Sequence, residues 1–310
     1  MYTRREMGKL ALSALPAAAW LQKTARPDSK FAGVQIGLNV PYSFGSNALS
    51  GDETLERCVQ LGVSAVELRS QPVESFLGVP AELVKASSPG RNPTPEQQAA
   101  RTAALADLRK WRVGAPIEKV SAFRRKYEDA GVGIEILKFD AIYTREDDEL
   151  DYCFELAKAL GARAISCEIS VKETQRIGTF ADKHRLMVGY HGHASTTPAD
   201  WETAFGYARH NGANVDIGHF VAGNTTSPLP FLQKHHERVT HIHVKDRKMK
   251  DGPNTPFGEG DTPIKEVLQA IRENRWPMQA TIEFEYPVPA GSDRMKELER
   301  CVQYCKDALR

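Results

Sequence analysis

The sequence lacks an excess of charge of either sign, because its 41 lysines and arginines are balanced by 40 aspartates and glutamates. This balance argues against a protein that binds nucleic acid through a basic surface. The five cysteines form no CxxC pair, and their odd number and irregular spacing do not indicate a disulfide framework. The sequence also contains no internal repeat of fixed period and no low-complexity tract.

The sequence does contain enough apolar material for a large core. Hydrophobic residues make up 41% of the 310 residues and charged residues make up 26%, which is typical of globular proteins. A chain of this length predicts either two domains of roughly 150 residues or one α/β barrel of about 250 residues.

The N-terminal segment has the pattern of an export signal. Arg4 and Arg5 precede an Ala-rich apolar run from Leu10 to Leu21, which is too short to span a bilayer permanently. The paired arginines resemble a twin-arginine signal. We therefore interpret residues 1–29 as an export signal and linker. We expect a periplasmic or exported protein, or a cytoplasmic one if this segment is not a signal.

From residue 30 onward, short apolar strands alternate with helical segments. Eight strands are predicted, at Val34–Val40, Ala65–Arg69, Val132–Phe139, Arg163–Ile169, Leu186–His191, Asn214–His219, Val239–Lys245 and Gln279–Tyr286. A helix follows each strand, so the pattern predicts the α/β class and a single (β/α)8 TIM barrel, with residues 30–310 as one catalytic domain. A Pro-rich insertion after strand 2, residues 71–116, is interpreted as a lid or a wall of the substrate site.

Ionisable side chains recur where the predicted strands end, which is the face that carries the active site in such barrels. They are Glu168, His191, His193, Asp216, His219, His241, His243, Glu283 and Glu285. Because side chains alternate along a strand, His241, His243 and Lys245 share one side, as do Glu283 and Glu285. Burying such groups without partners costs several kcal/mol, whereas one bound cation would satisfy several of them. The pattern therefore predicts one divalent ion, and mixed carboxylate and imidazole ligands suit Mn²⁺, Co²⁺, Mg²⁺ or Zn²⁺.

The motifs VDIGHF, HIHVKDR, PFGEGDTP and ATIEFEY resemble those of the sugar phosphate isomerase/epimerase family, the xylose isomerase-like barrels. The resemblance extends over about residues 33–308. It implies that Asp216, His243 and Glu283 bind the metal ion and that His219 faces the substrate. It also implies that His241 supports the ligands from behind.

One position departs from the family pattern. Ketose epimerases of this family carry a metal-binding Glu on strand 5, where this chain has His191 in the motif GYHGH. The fourth metal ligand is then either Glu168 from the neighbouring strand or His191 itself. The GYHGH pattern resembles a subgroup in which some members act as lyases or hydratases on 3-keto sugars.

The resemblance also implies proton removal from a carbon next to a carbonyl, giving an enediolate that the ion stabilises. We expect Glu283 or Glu168 to be the general base, with His219 and Lys245 assisting. Lys245 would neutralise developing negative charge, or only pair with Asp246. The residues expected to contact a small-molecule sugar or keto-sugar are His191, His193, His219, Lys245 and Glu285.

These observations favour a divalent-metal-dependent sugar isomerase or epimerase. The alternative is a lyase or hydratase that acts on 3-keto-glycosides by elimination from the same intermediate. Two further classes fit less well. An endonuclease IV-like phosphodiesterase would need three metal ions and a basic surface, and a non-catalytic sugar-binding barrel would bind no ion. The metal, the substrate and a homo-oligomeric state stay open.

Overall fold

The computed structural model describes residues 26–88, 90 and 92–310. In this part of the chain, eight parallel strands pair each with the next, and the eighth pairs with the first. This closure confirms the predicted single (β/α)8 barrel. The strands are β1 (Val34–Val40), β2 (Ala65–Arg69), β3 (Gly133–Lys138), β4 (Ala164–Glu168), β5 (Met187–His191), β6 (Asn211–Asp216), β7 (Val239–Val244) and β8 (Gln279–Ile282).

Helices surround the barrel. Those of the described residues are α1 (Gly51–Leu61), α2 (Gln71–Phe76), α3 (Ala81–Ser87), α4 (Pro95–Val113), α5 (Val120–Asp129), α6 (Asp147–Leu160), α7 (Val171–His184), α8 (Pro198–Tyr207), α9 (Ile217–Asn224), α10 (Leu229–His235), α11 (Ile264–Asn274) and α12 (Arg294–Ala308). Local capping fixes several of their ends. Thr197 starts α8 through a capping box with Asp200, and Gly62 ends α1 in the left-handed conformation that suits glycine.

Two predicted strands have wrong bounds. The sequence predicts strand 6 over Asn214–His219, whereas the strand runs over Asn211–Asp216. The Asp216 carboxylate accepts the backbone N–H of His219 and so starts α9, which places His219 in the first helical turn. Strand 8 was expected to reach Tyr286 but ends at Ile282, although the N–H of Glu283 still donates to the carbonyl of Val244.

The inward-facing positions of the barrel are mostly polar near its C-terminal end. Alternate residues along β8 show the pattern, since Ala280 and Ile282 join the hydrophobic core while Thr281 belongs to the buried polar set. Side chains of non-adjacent strands come within hydrogen-bond distance inside the barrel, as do Glu67 on β2 and His241 on β7. The apolar core therefore lies between strands and helices, and the barrel interior is available for charged groups.

The insertion after β2 forms α2, α3 and α4 and packs on the outside of the barrel. Arg112 near the end of α4 makes buried ion pairs with Glu74 of α2 and Glu149 of α6, at 2.9 and 2.8 Å. A cavity of about 1080 Å³ lies between the insertion and the loops that follow β2 and β3. The interpretation of the insertion as a lid or substrate wall stays a prediction.

The predicted export signal lies in residues 1–25, outside the described residues. The end of the predicted linker contacts the barrel, because the buried Ser29 hydroxyl donates to the carbonyl of Ile36 at 2.6 Å. None of the described helices has the length and apolar character needed to cross a membrane. The five cysteines are buried and form no disulfide with one another.

The backbone of α9 packs closely against the loop after β5, and substitution of a glycine at this contact tests the packing. A Cβ on Gly223 would collide with the backbone carbonyl of Ala194, next to His193. We expect Gly223→Ala to lower the free energy of unfolding by about 1–3 kcal/mol in a urea titration, because the crowded backbone must move. Gly206→Ala in α8 is the matched control, since its Cβ meets nothing within 4 Å. An equal effect of the two substitutions would contradict this packing.

Candidate metal centre

The ends of four neighbouring strands bring two imidazoles and two carboxylates together. His191 ends β5, Asp216 ends β6, His243 lies one residue before the end of β7, and Glu283 directly follows β8. One ligand atom from each lies within 4.8 Å of the others, and all four side chains are buried. We call these four residues the tetrad. It unites the three predicted ligands with one of the two residues left open for the fourth position.

One oxygen of each tetrad carboxylate is fixed by a neutral donor, and the other points at the imidazoles. Asp216 Oδ1 accepts the backbone N–H of His219 at 2.7 Å, and Glu283 Oε1 accepts the amide of Asn39 at 2.8 Å. Asp216 Oδ2 lies 3.4 Å from His191 Nε2. Glu283 Oε2 lies 3.1 Å from Nδ1 of His243. The tetrad thus presents two oxygens and two ring nitrogens to a common space.

Two polar atoms of the tetrad, Nδ1 of His243 and Oε2 of Glu283, are buried without a hydrogen bond of acceptable geometry. Their nearest charged partners are each other, at 3.1 Å, and Lys245 Nζ, which lies 2.6 Å from Oε2. Buried polar atoms are normally paired, so such atoms require an explanation. Ring nitrogens and carboxylate oxygens are the ligands that divalent transition ions and zinc accept. The residues present therefore fit a divalent ion.

Glu67 on β2 supports the tetrad from within the barrel. Its carboxylate, fully buried, lies 2.5 Å from His243 Nε2 and 3.3 Å from His241 Nε2. Burial disfavours a charged imidazole, but the carboxylates of Glu283 and Glu67 outweigh it and raise the pKa of His243 to about 10. Burial lowers the pKa of His241 to about 4. Glu67 therefore orients His243 so that Nδ1 faces the tetrad, as carboxylates behind metal-binding histidines do.

Glu168 at the end of β4 lies outside the tetrad. Its carboxylate contacts His191 Nδ1 at 2.7 Å and His193 Nε2 at 2.6 Å, and accepts from the buried Lys138 at 2.8 Å. Burial raises the pKa of Glu168, but these three partners outweigh burial and hold it well below its usual value. The carboxylate is thus a fixed anion and a weak base. Of the two residues left open as the fourth ligand, His191 is the one that the tetrad contains.

His193 is the exposed group of the site, with 54% of its side chain accessible. Its hydrogen bond with Glu168 raises the pKa of the imidazole, against the opposing effect of burial. The ring centroid lies 4.9 Å from those of both His191 and His219. His193 therefore stands between solvent and the tetrad.

Lys245 lies beside the tetrad carboxylates. Its Nζ is 2.6 Å from Glu283 Oε2, 2.6 Å from Glu285 Oε2 and 3.0 Å from Asp216 Oδ2. Burial favours the neutral amine, but the three carboxylates hold the pKa of Lys245 well above its usual value. The alternative that Lys245 only pairs with Asp246 is wrong. The Asp246 carboxylate instead accepts the backbone N–H groups of Gly258, Gly260 and Thr262.

His219 presents an unusual pair of donors with Lys245. Burial lowers the pKa of His219 to about 4, so its ring is neutral. Arg247, which can only donate, lies 2.7 Å from His219 Nδ1, and the ring hydrogen is therefore assigned to Nε2. Nε2 lies 3.3 Å from Lys245 Nζ, so two donors face each other without an acceptor between them. An oxygen placed there would accept from both.

Glu285 connects this centre to a second cavity. Tyr42 donates to the Glu285 carboxylate at 2.7 Å, and a cavity of about 500 Å³ opens beside both residues. Neither this cavity nor the larger one beside the insertion is lined by a tetrad residue. The smaller cavity adjoins the centre through Glu285, which contacts Lys245 Nζ at 2.6 Å.

Sequence reasoning missed Glu67, Lys138 and Asn39. Glu67 lies in the middle of the strand AVELR and Lys138 ends the strand GIEILK, so each is a charged residue in a mostly apolar strand. The same signal drew attention to the later strands, so it could have found both. Asn39 is uncharged, and nothing in the sequence distinguishes it from a polar residue at a strand end.

Comparison with known proteins identifies the family of this chain. Residues 55–306 match the family model of the xylose isomerase-like TIM barrel. The chain belongs to this family. No curated protein compared with the chain matches it significantly.

Solved structures of this barrel type cover nearly the whole chain. A xylose isomerase domain protein from Planctomyces limnophilus is 18% identical, with a TM-score of 0.60 over 89% of this chain and 97% of that chain. The probable 3-DHS dehydratase AsbF from Bacillus anthracis is 13% identical, with a TM-score of 0.61 over 87% and 98%. The 3-keto-D-glucoside 4-epimerase YcjR from E. coli is 11% identical, with a TM-score of 0.55 over 88% and 99%. At these identities the likeness shows the fold.

The shared contacts of Glu67 predict a large effect on stability. We expect Glu67→Leu to lower the free energy of unfolding by about 3 kcal/mol or more, because it leaves two buried histidines without their acceptor. Glu67→Gln keeps an acceptor oxygen and should lose less. The control is Glu155→Leu at an exposed position of α6, with a change within about 0.5 kcal/mol. Urea titrations in which Glu67→Leu equals the control would contradict the role of Glu67.

Proposed function

We propose that this barrel is a divalent-metal-dependent sugar isomerase or epimerase that removes a proton from a carbon next to a carbonyl. The single observation that carries this proposal is the tetrad, in which buried ligand atoms converge at the face where such barrels place their active sites. Structurally similar proteins are named as a xylose isomerase domain protein, a probable dehydratase and an epimerase. Each of these reactions can begin with that proton removal, which supports the same class for this chain.

The residues that would hold the ion are His191, Asp216, His243 and Glu283. A divalent ion at this position would act as a Lewis acid that stabilises negative charge on substrate oxygens. Glu67 and Asn39 hold His243 and Glu283 in place from behind, at 2.5 and 2.8 Å. Such outer contacts keep ligands in their productive orientation.

The donor pair of His219 and Lys245 would bind a substrate oxygen. Nε2 of His219 and Nζ of Lys245 lie 3.3 Å apart. Once Lys245 gives up one of its three carboxylate contacts, both nitrogens could donate to an oxygen that gains negative charge as the neighbouring carbon loses its proton. Arg247 keeps the His219 ring in the required tautomer through its bond to Nδ1. These contacts make His219 and Lys245 substrate-binding groups that also stabilise the reacting state.

Proton transfer would involve Glu283 from inside the barrel and His193 from the solvent side. Glu283 Oε2 lies inside the tetrad, 3.1 Å from His243 Nδ1 and 2.6 Å from Lys245 Nζ, whereas the Glu168 carboxylate is held outside the tetrad by three partners. We therefore assign the base to Glu283 and give Glu168 the task of positioning His191 and His193. The hydrogen bond with Glu168 raises the pKa of His193 and so favours the protonated ring, which is the form that can give up a proton.

The exposed His193 also favours the alternative of elimination from a keto-sugar glycoside. A protonated imidazole near solvent can give its proton to a departing oxygen, which a buried carboxylate held as an anion cannot do. Isomerisation and elimination would then share the proton removal and differ in the fate of the intermediate. The cavity of about 500 Å³ beside Glu285 leaves space for more than the reacting carbons.

The metal content of two histidine variants tests the tetrad. We expect wild-type protein loaded with Mn²⁺ and desalted to retain about one ion per chain by elemental analysis, as a single four-ligand site would. His243→Ala should lose the ion, because it removes the Nδ1 ligand. His241→Ala is a matched control, since His241 is equally buried on the same strand but lies outside the tetrad. Retention of the ion by His243→Ala would remove this residue from the ligand set.

The reaction itself can be followed in D₂O. We expect the Mn²⁺-loaded protein to exchange the proton next to the carbonyl of a ketose, seen as loss of its ¹H NMR signal. The alternative predicts instead release of the aglycone from a chromogenic 3-keto-glucoside. His193→Gln should slow the observed reaction by about 100-fold or more without changing the Mn²⁺ content, because it removes an acid and base group.

The control for this experiment is His210→Gln. His210 makes a similar pair with Asp182 at 2.7 Å, but it lies just before β6, at the opposite end of the barrel. It should leave the rate unchanged. A full rate in His193→Gln would remove His193 from the mechanism, and the absence of both reactions in Mn²⁺-loaded protein would count against the proposed function.

A further inference from the structure

We infer that Lys245 holds, in the metal-free protein, the same carboxylate oxygens that a divalent ion needs, so that its ammonium group competes with the ion for the tetrad. This inference rests on the metal site of the proposed function. It concerns how that site is kept assembled without an ion and how tightly the ion binds.

The competition follows from the identity of the oxygens. Lys245 Nζ contacts Asp216 Oδ2 at 3.0 Å and Glu283 Oε2 at 2.6 Å, the two atoms that face the tetrad imidazoles. The other oxygen of each carboxylate already accepts a hydrogen bond, from the backbone of His219 and from the amide of Asn39. Asp216 Oδ2 and Glu283 Oε2 are the oxygens that face the tetrad imidazoles, at 3.4 Å from His191 Nε2 and 3.1 Å from His243 Nδ1. An ion bound between the imidazoles would therefore meet the same two atoms that the ammonium group contacts.

The position of Lys245 is built into the fold. Gly218 in the first turn of α9 packs against the lysine stem, where a Cβ would collide with Lys245 Cγ. The third carboxylate in contact with Nζ is Glu285, which also accepts from Tyr42 at 2.7 Å and Asn254 at 3.3 Å. Glu285 is not part of the tetrad. It gives the ammonium group a partner that remains when the tetrad oxygens turn to an ion.

The exchange of Lys245 for an ion at the tetrad oxygens would have two consequences. Without an ion, Lys245 neutralises carboxylates whose burial would otherwise be costly, so the barrel folds with its tetrad assembled. With an ion, Lys245 has fewer carboxylates to satisfy, and its freed hydrogens join Nε2 of His219 in facing a substrate oxygen. Loading of the metal would therefore prepare the donor pair that binds substrate.

The experiment compares Mn²⁺ binding by the wild-type protein and Lys245→Met, a change that keeps the stem and removes the charge. The Kd for Mn²⁺ is measured by competition with a fluorescent chelator, and Tm is measured with and without saturating Mn²⁺. We expect Lys245→Met to have a lower Tm without metal, a Kd at least 10-fold lower, and a larger rise of Tm on adding Mn²⁺.

The matched control is Lys138→Met. Lys138 is also buried at a strand end, but its ammonium contacts Glu168 and none of the tetrad carboxylates is among its ion pairs. We expect it to lower Tm without tightening Mn²⁺ binding. If both variants tightened binding equally, a general loss of positive charge would explain the effect and the inference would be overturned.

The outcomes separate this inference from the proposed function. Mn²⁺ binding by wild-type protein with an equal or higher Kd in Lys245→Met overturns the competition and leaves the metal site intact. Absence of Mn²⁺ binding in both proteins overturns the metal site and the inference together. If Lys245→Met does not fold without metal, Lys245→Gln, which keeps a neutral donor, replaces it. A lower Kd in that variant supports the inference, and an unchanged Kd overturns it.

Discussion

Negative charge buried at the C-terminal end of the barrel is the constraint on which the rest of this structure depends. Four carboxylates, those of Glu67, Glu168, Asp216 and Glu283, lie in or next to the barrel interior, where water cannot solvate them fully. Each is stable only because cations or hydrogen-bond donors lie within contact distance. The histidines and lysines on the facing strands supply these cations and donors.

The buried carboxylates differ in how completely their partners satisfy them, and this difference indicates where function lies. Lys138 and two imidazoles surround Glu168, and two imidazoles meet Glu67, so both carboxylates have partners in direct contact. The tetrad carboxylates also contact a cation, Lys245, but His243 Nδ1 and Glu283 Oε2 stay buried without a hydrogen bond of good geometry. A site that the protein leaves incompletely satisfied is where an additional cation stabilises the structure most. The same atoms are the ones from which chemistry on a sugar oxygen would begin.

The sequence predicted the convergence of Asp216, His243 and Glu283 because strand-end positions of a closed parallel barrel meet at one face. It misplaced His219, since a hydrogen bond from the backbone of that residue to Asp216 converts the expected strand end into a helix start. It left the choice between Glu168 and His191 open, because both lie at strand ends and only the side-chain directions separate them. The support from Glu67 depends on contact across the barrel between strands far apart in sequence, which periodicity within one strand does not reveal.

Diffraction from crystals soaked in Mn²⁺, recorded with the anomalous signal of manganese, tests the convergence of these groups on one ion most directly. The expected result is a single strong anomalous peak among His191 Nε2, Asp216 Oδ2, His243 Nδ1 and Glu283 Oε2, with Glu67 and Glu168 behind the ligands. A peak bound instead by Glu168 and His193, or no peak at the ends of β5 to β8, would contradict a metal centre built on the tetrad.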